Sequence, residues 1–352
     1  MGVSLDDRSL VTRLDPSGMY DLTVAFPQQC MEALEATDRA SLEIMAPSNV
    51  VLTGLGGSAA GGDLTRCLFE NEGRAPFIVN RDYSLPRFVG RETLVFAVSY
   101  SGNTEETLAA VEDAKAKGAQ IVAVTSGGAL GEMAAAEKWP IVTIPGGQPP
   151  RTALGYLFLP VVKLCEMIGL LPMHDFGALL DLLQTCSEEW GVAMAEETNP
   201  TKRLARDLHG GLPVLYGLGG WQSAVAYRWK GQINENAKVM ASHHAFPELC
   251  HNEILGWVGA AGQGEITWRT VVLKDGTESA KMNERAAVTA RLTAGATKTL
   301  YAQAPGVTLL EKMLALTYMG DFVSLYLAAL NGVDPENIDS INTLKSALAK
   351  VP

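Results

Sequence analysis

The chain has 352 residues, 47% hydrophobic and 19% charged, so it can bury a sizeable core and is not disordered. Its formal net charge of −11 offers no basic stripe to a polyanion, which argues against non-specific binding to nucleic acid or to an anionic membrane. The five cysteines (Cys30, Cys67, Cys165, Cys186 and Cys250) are scattered without a CxxC pair, the pattern of reduced, mostly buried thiols rather than of metal or redox chemistry.

The N-terminus carries acids and lacks the basic start and apolar stretch of a secretory signal, and no apolar run approaches the ~20 residues that cross a bilayer. The expected location is therefore the cytoplasm. An N-terminal helix is expected from about Asp21 to Ala46. Beyond it, short apolar runs alternate with helical patterns. Strands are expected at VVLTGL (50–55), PFIVN (76–80), TLVFAVS (93–99), QIVAVT (120–125) and PIVTIP (140–145), with helices starting near Gly61, Glu105 and Leu130. This alternation predicts a parallel sheet with helical crossovers.

A buried helix is expected over Ala153–Leu171, then a turn at PMHDFG and a further helical stretch to about Leu208. From there the opening pattern repeats: an apolar strand at Val214–Tyr216, a glycine turn (Gly217, Gly219, Gly220) and a helix, followed by strands at VMASHH, TWRTVVLK and TLYAQA. The expected fold is α/β, made of two similar α-β-α halves with mainly parallel sheets, residues 1–172 and 173–352, the second degenerate.

Two strand-to-helix junctions carry hydroxyls. The first, GLGGSAAGG, does not give the dinucleotide spacing GxGxxG, and the next strand ends in Asn80 rather than an acid, so a nicotinamide cofactor is not expected. With Gly57 and Ser58 at a helix start it suits a phosphate, and would serve equally as a tight crossover turn. The second, VSYSGNTEET, ends a buried strand with Ser99, Ser101 and Thr104; alone it reads as a helix N-cap. On adjacent strand ends the two junctions would converge Ser58, Ser99, Ser101 and Thr104 on one phosphomonoester without a lysine.

A strand followed by SxSGxT with a partner Ser loop resembles the sugar isomerase (SIS) domain, whose members bind phosphosugars there. MYDLTVAFPQQ, GLGGSAAGGDL, VSYSGNTEET, PPRTALGY, NENAK, HNEI and a late LK stand in the order found in bifunctional phosphoglucose/phosphomannose isomerases. Leu55 and Ala60 stand where those relatives often carry Met and Ile, and Trp221 and Gln222 follow the second glycine turn with no SGNT-like partner, so no second phosphate is expected.

The resemblance implies a cofactor-free aldose–ketose isomerase that interconverts glucose 6-phosphate and mannose 6-phosphate with fructose 6-phosphate through a cis-enediol. It assigns Glu235 (INENAK) as the base, Arg151 (PPRTALGY) as a fixed positive charge beside the enediolate, His251 (CHNEI) as the ring-opening group and Lys345 (INTLKSAL) as an auxiliary in ring opening or hydroxyl binding. It further implies a homodimer in which His251 reaches the partner's pocket. A zinc site from His243, His244 and His251 is disfavoured because neighbouring strand residues point to opposite faces. The rival reading is a non-catalytic phosphosugar sensor.

Overall fold

The computed structural model describes residues 4–260, 262 and 267–348. In chain order the elements are α1 (Arg8–Arg13), α2 (Met19–Val24), α3 (Phe26–Asp38), β1 (Asn49–Thr53), α4 (Gly57–Glu72), β2 (Phe77–Asn80), β3 (Thr93–Ser99), α5 (Glu105–Ala116), β4 (Gln120–Thr125), α6 (Gly128–Glu137) and β5 (Ile141–Thr143). A 3₁₀ turn at Pro150–Thr152 precedes α7 (Leu154–Met167), α8 (Phe176–Trp190), α9 (Pro200–Leu208), β6 (Leu212–Gly217), α10 (Gly220–Ala237) and β7 (Ser242–Ala245). A second 3₁₀ turn at Glu248–His251 leads to α11 (Glu253–Ala260), β8 (Trp268–Lys274), α12 (Ala280–Thr293), β9 (Thr297–Gln303), α13 (Leu309–Asn331) and α14 (Asp339–Leu348).

The strands form two parallel sheets, ordered β2-β1-β3-β4-β5 and β7-β6-β8-β9, and every ladder is parallel. This is the expected α/β architecture. All seven residues of β3 are buried, as a central strand covered by helices on both faces requires. On one face, Val51, Val95, Ala97, Ile121 and Ala123 pack with Ala110, Val111 and Ala114 of α5 and Leu130 and Ala134 of α6. Each fully buried Val or Leu of such a layer stabilises by roughly 1.5–3 kcal/mol.

Contacts divide the chain into two compact units: Ala25–Thr185 with Gly306–Met313, and Met1–Val24 with Cys186–Pro305 and Leu314–Pro352. This grouping departs from a single cut at residue 172 at residues 1–24, 173–185 and 306–313. The N-terminal residues join the second unit through Tyr20, whose ring meets Phe322 and Tyr326 and whose hydroxyl accepts from Val192 N at 2.6 Å. Lys202, fully buried, donates to Asp6 (2.8 Å) and to the carbonyls of Val192 and Met194, and holds the Asp6 carboxyl below the usual range.

The helix expected over Asp21–Ala46 is instead two helices followed by an extended strap. α2 ends at Val24, and Pro27 sits in the first turn of α3, where a missing N–H costs nothing. α3 stops at Asp38, and Met45 then exchanges two hydrogen bonds with the Gln120 side chain. α13 is, by length and composition, apolar enough to span a bilayer, although Glu311, Lys312 and Asp321 interrupt its apolar run. Its apolar window is wholly buried within the protein, as in a core helix. Cys30, Cys67, Cys165 and Cys186 are buried and Cys250 partly so; burial pushes the Cys67 and Cys186 thiols up to about 12.

Candidate functional site

In the unit built on the five-stranded sheet, β1 and β3 are neighbours with Thr53 opposite Ala97, so both hydroxyl-bearing loops leave the same edge of the sheet. α4 begins at Gly57 behind Gly56, and α5 begins at Glu105 behind Thr104; neither cap makes a side-chain hydrogen bond to its helix. At α4 the amides of Ser58 and Ala59 already donate to Leu55 O (3.1 and 3.5 Å), so it is the first turn of α5 that offers amides to a ligand, and the helix dipoles of both helices favour an anion there.

The expected hydroxyls divide into two kinds. Ser99 Oγ and Thr104 Oγ1 are 2.9 Å apart, and Ser99 Oγ also accepts from Gly102 N at 3.2 Å, so this pair shapes the loop from within. Ser101 is exposed, its Oγ accepting from Asn103 N at 3.2 Å and its backbone oxygen from Asn103 Nδ2 at 3.1 Å, and Ser58 lies buried in the first turn of α4. Asn103 is a strut: its Oδ1 accepts from Ala129 N at 3.0 Å, tying the loop to the start of α6.

Gly102 fixes the loop's path. Its φ of +69° is left-handed, and a Cβ there would stand 1.8 Å from the Gly127 carbonyl oxygen. Gly102→Ala is therefore expected to cost about 2 kcal/mol or more and to raise KM for a phosphorylated substrate, read by urea midpoint and steady-state kinetics. A variant with unchanged midpoint and KM would show that the loop does not need this geometry.

Arg151 is buried on the Pro150–Thr152 turn. The turn lies against the start of α4, since a Cβ on Gly57 would come within 2.9 Å of the Pro150 oxygen. Gln29 of α3 clamps it from the other side: its Nε2 donates to Thr152 O and its Oε1 accepts from Gly155 N, both at 2.8 Å. Sequence reasoning missed Gln29. The available signal was an amide placed on the apolar face formed by Phe26, Cys30, Ala33 and Leu34.

In the other unit, Glu235 stands in the last turn of α10 and lines a cleft of about 590 Å³ with Asn234, Lys238, Asp334, Asn337 and the first residues of α14. Asn234 Oδ1 accepts from Ala241 N at 2.9 Å, and Lys238 Nζ donates to the Glu235 backbone oxygen and to Pro335 O (3.2 Å), which fixes the helix end. His251 ends the Glu248–His251 turn, is exposed and does not line this cleft. Lys345 is exposed on α14, a helix with no buried residue. Thus the structure brings Ser99 and Thr104 together and seats Glu235 in a cleft, and it does not bring His251 or Lys345 of the same chain to that cleft.

His243 packs at a tilt against Tyr227 (ring centroids 5.0 Å apart), while His244 Nδ1 accepts from Ala245 N at 2.8 Å. Among the described residues, no three His, Cys, Asp or Glu side chains are arranged to hold a metal ion.

The fold and the hydroxyl-lined loop define a protein of the SIS-domain class. The family model for the SIS domain matches residues 43–136, and that for the bacterial phospho-glucose isomerase C-terminal SIS domain matches residues 197–348. Over 342 residues the chain is 42% identical to the bifunctional phosphoglucose/phosphomannose isomerase of Caldicellulosiruptor bescii, covering 95% of this chain and 99% of that one. The protein of the same description from Thermoplasma acidophilum is 36% identical over 306 residues, 86% of this chain and 90% of that one. The chain belongs to the bifunctional phosphoglucose/phosphomannose isomerase family. The crystal structure of a hypothetical protein from Thermus thermophilus superposes with a TM-score of 0.74 at 18% identity, covering 98% of this chain and 93% of that one, a likeness of fold.

Proposed function

We propose that the protein is an aldose–ketose isomerase that interconverts glucose 6-phosphate and mannose 6-phosphate with fructose 6-phosphate through a cis-enediol, without a cofactor. The observation that carries this reading is the Ser99–Thr104 loop beside two helix starts without side-chain caps. Hydroxyls and amides converge there without a lysine cluster, the chemistry that suits a compact phosphomonoester rather than a polyanion. Family membership supplies the reaction. In it, Glu235 moves the proton between C2 and C1, Arg151 stabilises the enediolate oxygen, and His251 opens the ring. Lys345 assists ring opening or holds a hydroxyl. Reprotonation of C2 from one face gives glucose and from the other mannose, so one intermediate serves both aldoses.

The proposed assembly is a homodimer in the cytoplasm, with His251 delivered to the partner's site. Support comes from the surface around His251: Leu255 and Val258 of α11 are 72% and 83% exposed. Ile341, Leu344 and Leu348 likewise leave an apolar stripe exposed on α14. A second copy of the chain would cover both.

Coupled assays of the purified protein with each hexose 6-phosphate test the reading. Turnover of glucose and mannose 6-phosphates is expected; tight binding without turnover would instead make the protein a phosphosugar sensor. The double variant Ser101→Ala with Thr104→Ala should act mainly on KM, because hydrogen bonds to a charged phosphate contribute about 1.5–3 kcal/mol each. A rise of at least ~100-fold in KM with kcat little changed is expected. A variant altered only in kcat would remove these hydroxyls from phosphate binding.

A further inference from the structure

His174 lies between α7 and α8, in a segment to which the proposed chemistry gives no role. Both nitrogens of its ring face carboxylates: Nδ1 is 2.6 Å from Glu166 Oε1 and Nε2 is 3.0 Å from Glu72 Oε2. The site is enclosed, with side-chain exposures of 8% for His174, 1% for Glu166 and 28% for Glu72. An ionised carboxylate only accepts hydrogen bonds, and a neutral imidazole has a single N–H. Two such contacts at once therefore require one proton more than a neutral histidine between two carboxylates carries. The second oxygen of Glu166 is buried without a hydrogen-bond partner, which makes an uncompensated charge at Glu166 costly.

The three groups come from three elements. Glu72 is the last residue of α4, and Glu166 is the penultimate residue of α7. α4 starts at the phosphate loop, and α7 starts just beyond the turn that carries Arg151. We propose that His174, held as an imidazolium between Glu72 and Glu166, is a proton-linked latch that ties together the far ends of the two helices whose first turns adjoin the phosphate loop.

Of the other ionisable groups on these elements, Arg74 is exposed to solvent beyond the end of α4, and three are engaged elsewhere. Glu70 pairs with Arg66, Lys163 with Asp38, and Asp175 accepts from Ala178 N at 2.9 Å. Cys165, next to Glu166, is buried with its thiol pushed far above its ordinary range, and is neutral. The Phe176 ring, 6.3 Å from that of His174, closes the apolar side. Burial opposes the charge on His174, but the hydrogen bonds and charges of Glu166 and Glu72 outweigh it and hold the imidazole above its ordinary 6.5. A folded-state value above the unfolded one makes the latch fully stabilising below about pH 6.5, and its contribution is lost as pH rises through the raised value.

The experiment uses the full chain, labelled at its histidines, with His174→Gln, Glu72→Gln and Glu166→Gln. In the wild type the His174 ring resonances are expected to titrate above pH 6.5, and each glutamate variant should lower the midpoint. Between about pH 6 and pH 9 the Tm of the wild type should fall a few degrees more than that of His174→Gln. Hydrogen exchange, corrected for its intrinsic pH dependence, should rise over the same range in the last turns of α4 and α7. A ring that is neutral at pH 6, with the shared proton on Glu166, would overturn the proposal. So would parallel Tm curves for the two proteins. Should His174→Gln not fold, Glu72→Gln, altered at the most exposed of the three groups, carries the same comparison. None of these readouts depends on turnover, so the latch and the isomerase reading stand or fall separately.

Discussion

Glu235→Gln is expected to abolish isomerisation while leaving the binding of hexose 6-phosphate close to that of the wild type. The substitution keeps the side chain's shape and removes its charge and its capacity to take a proton. Lys238 Nζ bonds the backbone oxygen of Glu235, and Asn234 bonds Ala241, so the end of α10 is fixed by groups that the substitution does not touch. The cleft of about 590 Å³ has room for a sugar, and its carboxamides, carboxylates and Ser340 suit hydroxyl groups. A positioned general base contributes roughly 10²–10⁴-fold, so kcat should fall by at least that much. Exchange of the C2 hydrogen with solvent should fall in parallel, because the same transfer underlies both. Retention of kcat within about tenfold would show that another residue is the base, and the carry-over of roles from the family would fail at its centre.

The central strands were legible in the sequence because strands buried on both faces read as apolar runs without alternation, as β1, β3, β4 and β6 do, whereas the edge strand β9 alternates buried and exposed residues. The hydroxyl loops were legible because two such junctions lie on neighbouring strands; each alone reads as a cap, and Ser99 and Thr104 do bond each other within the loop. Helix starts were less well marked. α4 begins at Gly57 rather than Gly61, since a glycine-rich stretch has no helix signal of its own and is helical here through its packing under α7.

What the sequence concealed depends on pairs far apart in the chain. Gln29 clamps a turn 123 residues away, and Glu72 meets His174 across 102 residues; no local period reports either. His174 read as part of a turn, and its doubly clamped ring became visible only when α4 and α7 were side by side. Similarly, apart from the family resemblance, nothing local in the sequence distinguishes His251 from His243 and His244. The structure separates them, since His243 packs on Tyr227 and His244 bonds the backbone, whereas His251 is exposed beside an apolar helix.

That exposure leads to the second large effect, the recovery of activity when two inactive variants are mixed. His251→Ala and Glu235→Ala should each be close to inactive alone. His251 does not line the cleft that holds Glu235 in its own chain, and the surface beside it, Leu255 and Val258, is apolar enough to need a cover. In a two-fold dimer the same patch meets itself, so a residue that leaves one protomer's site enters its partner's by symmetry. After subunit exchange about half the dimers are mixed. With His251 acting in trans, each mixed dimer has one site with both residues intact and one with both lesions, so roughly a quarter of wild-type activity should return. With His251 acting in cis, every site keeps one lesion and the mixture stays inactive. Exchange must be demonstrated independently, for instance by mass spectrometry of the intact mixed dimer. Given that control, an inactive mixture rules out the shared site and leaves the isomerase reading to the kinetics of the separate variants.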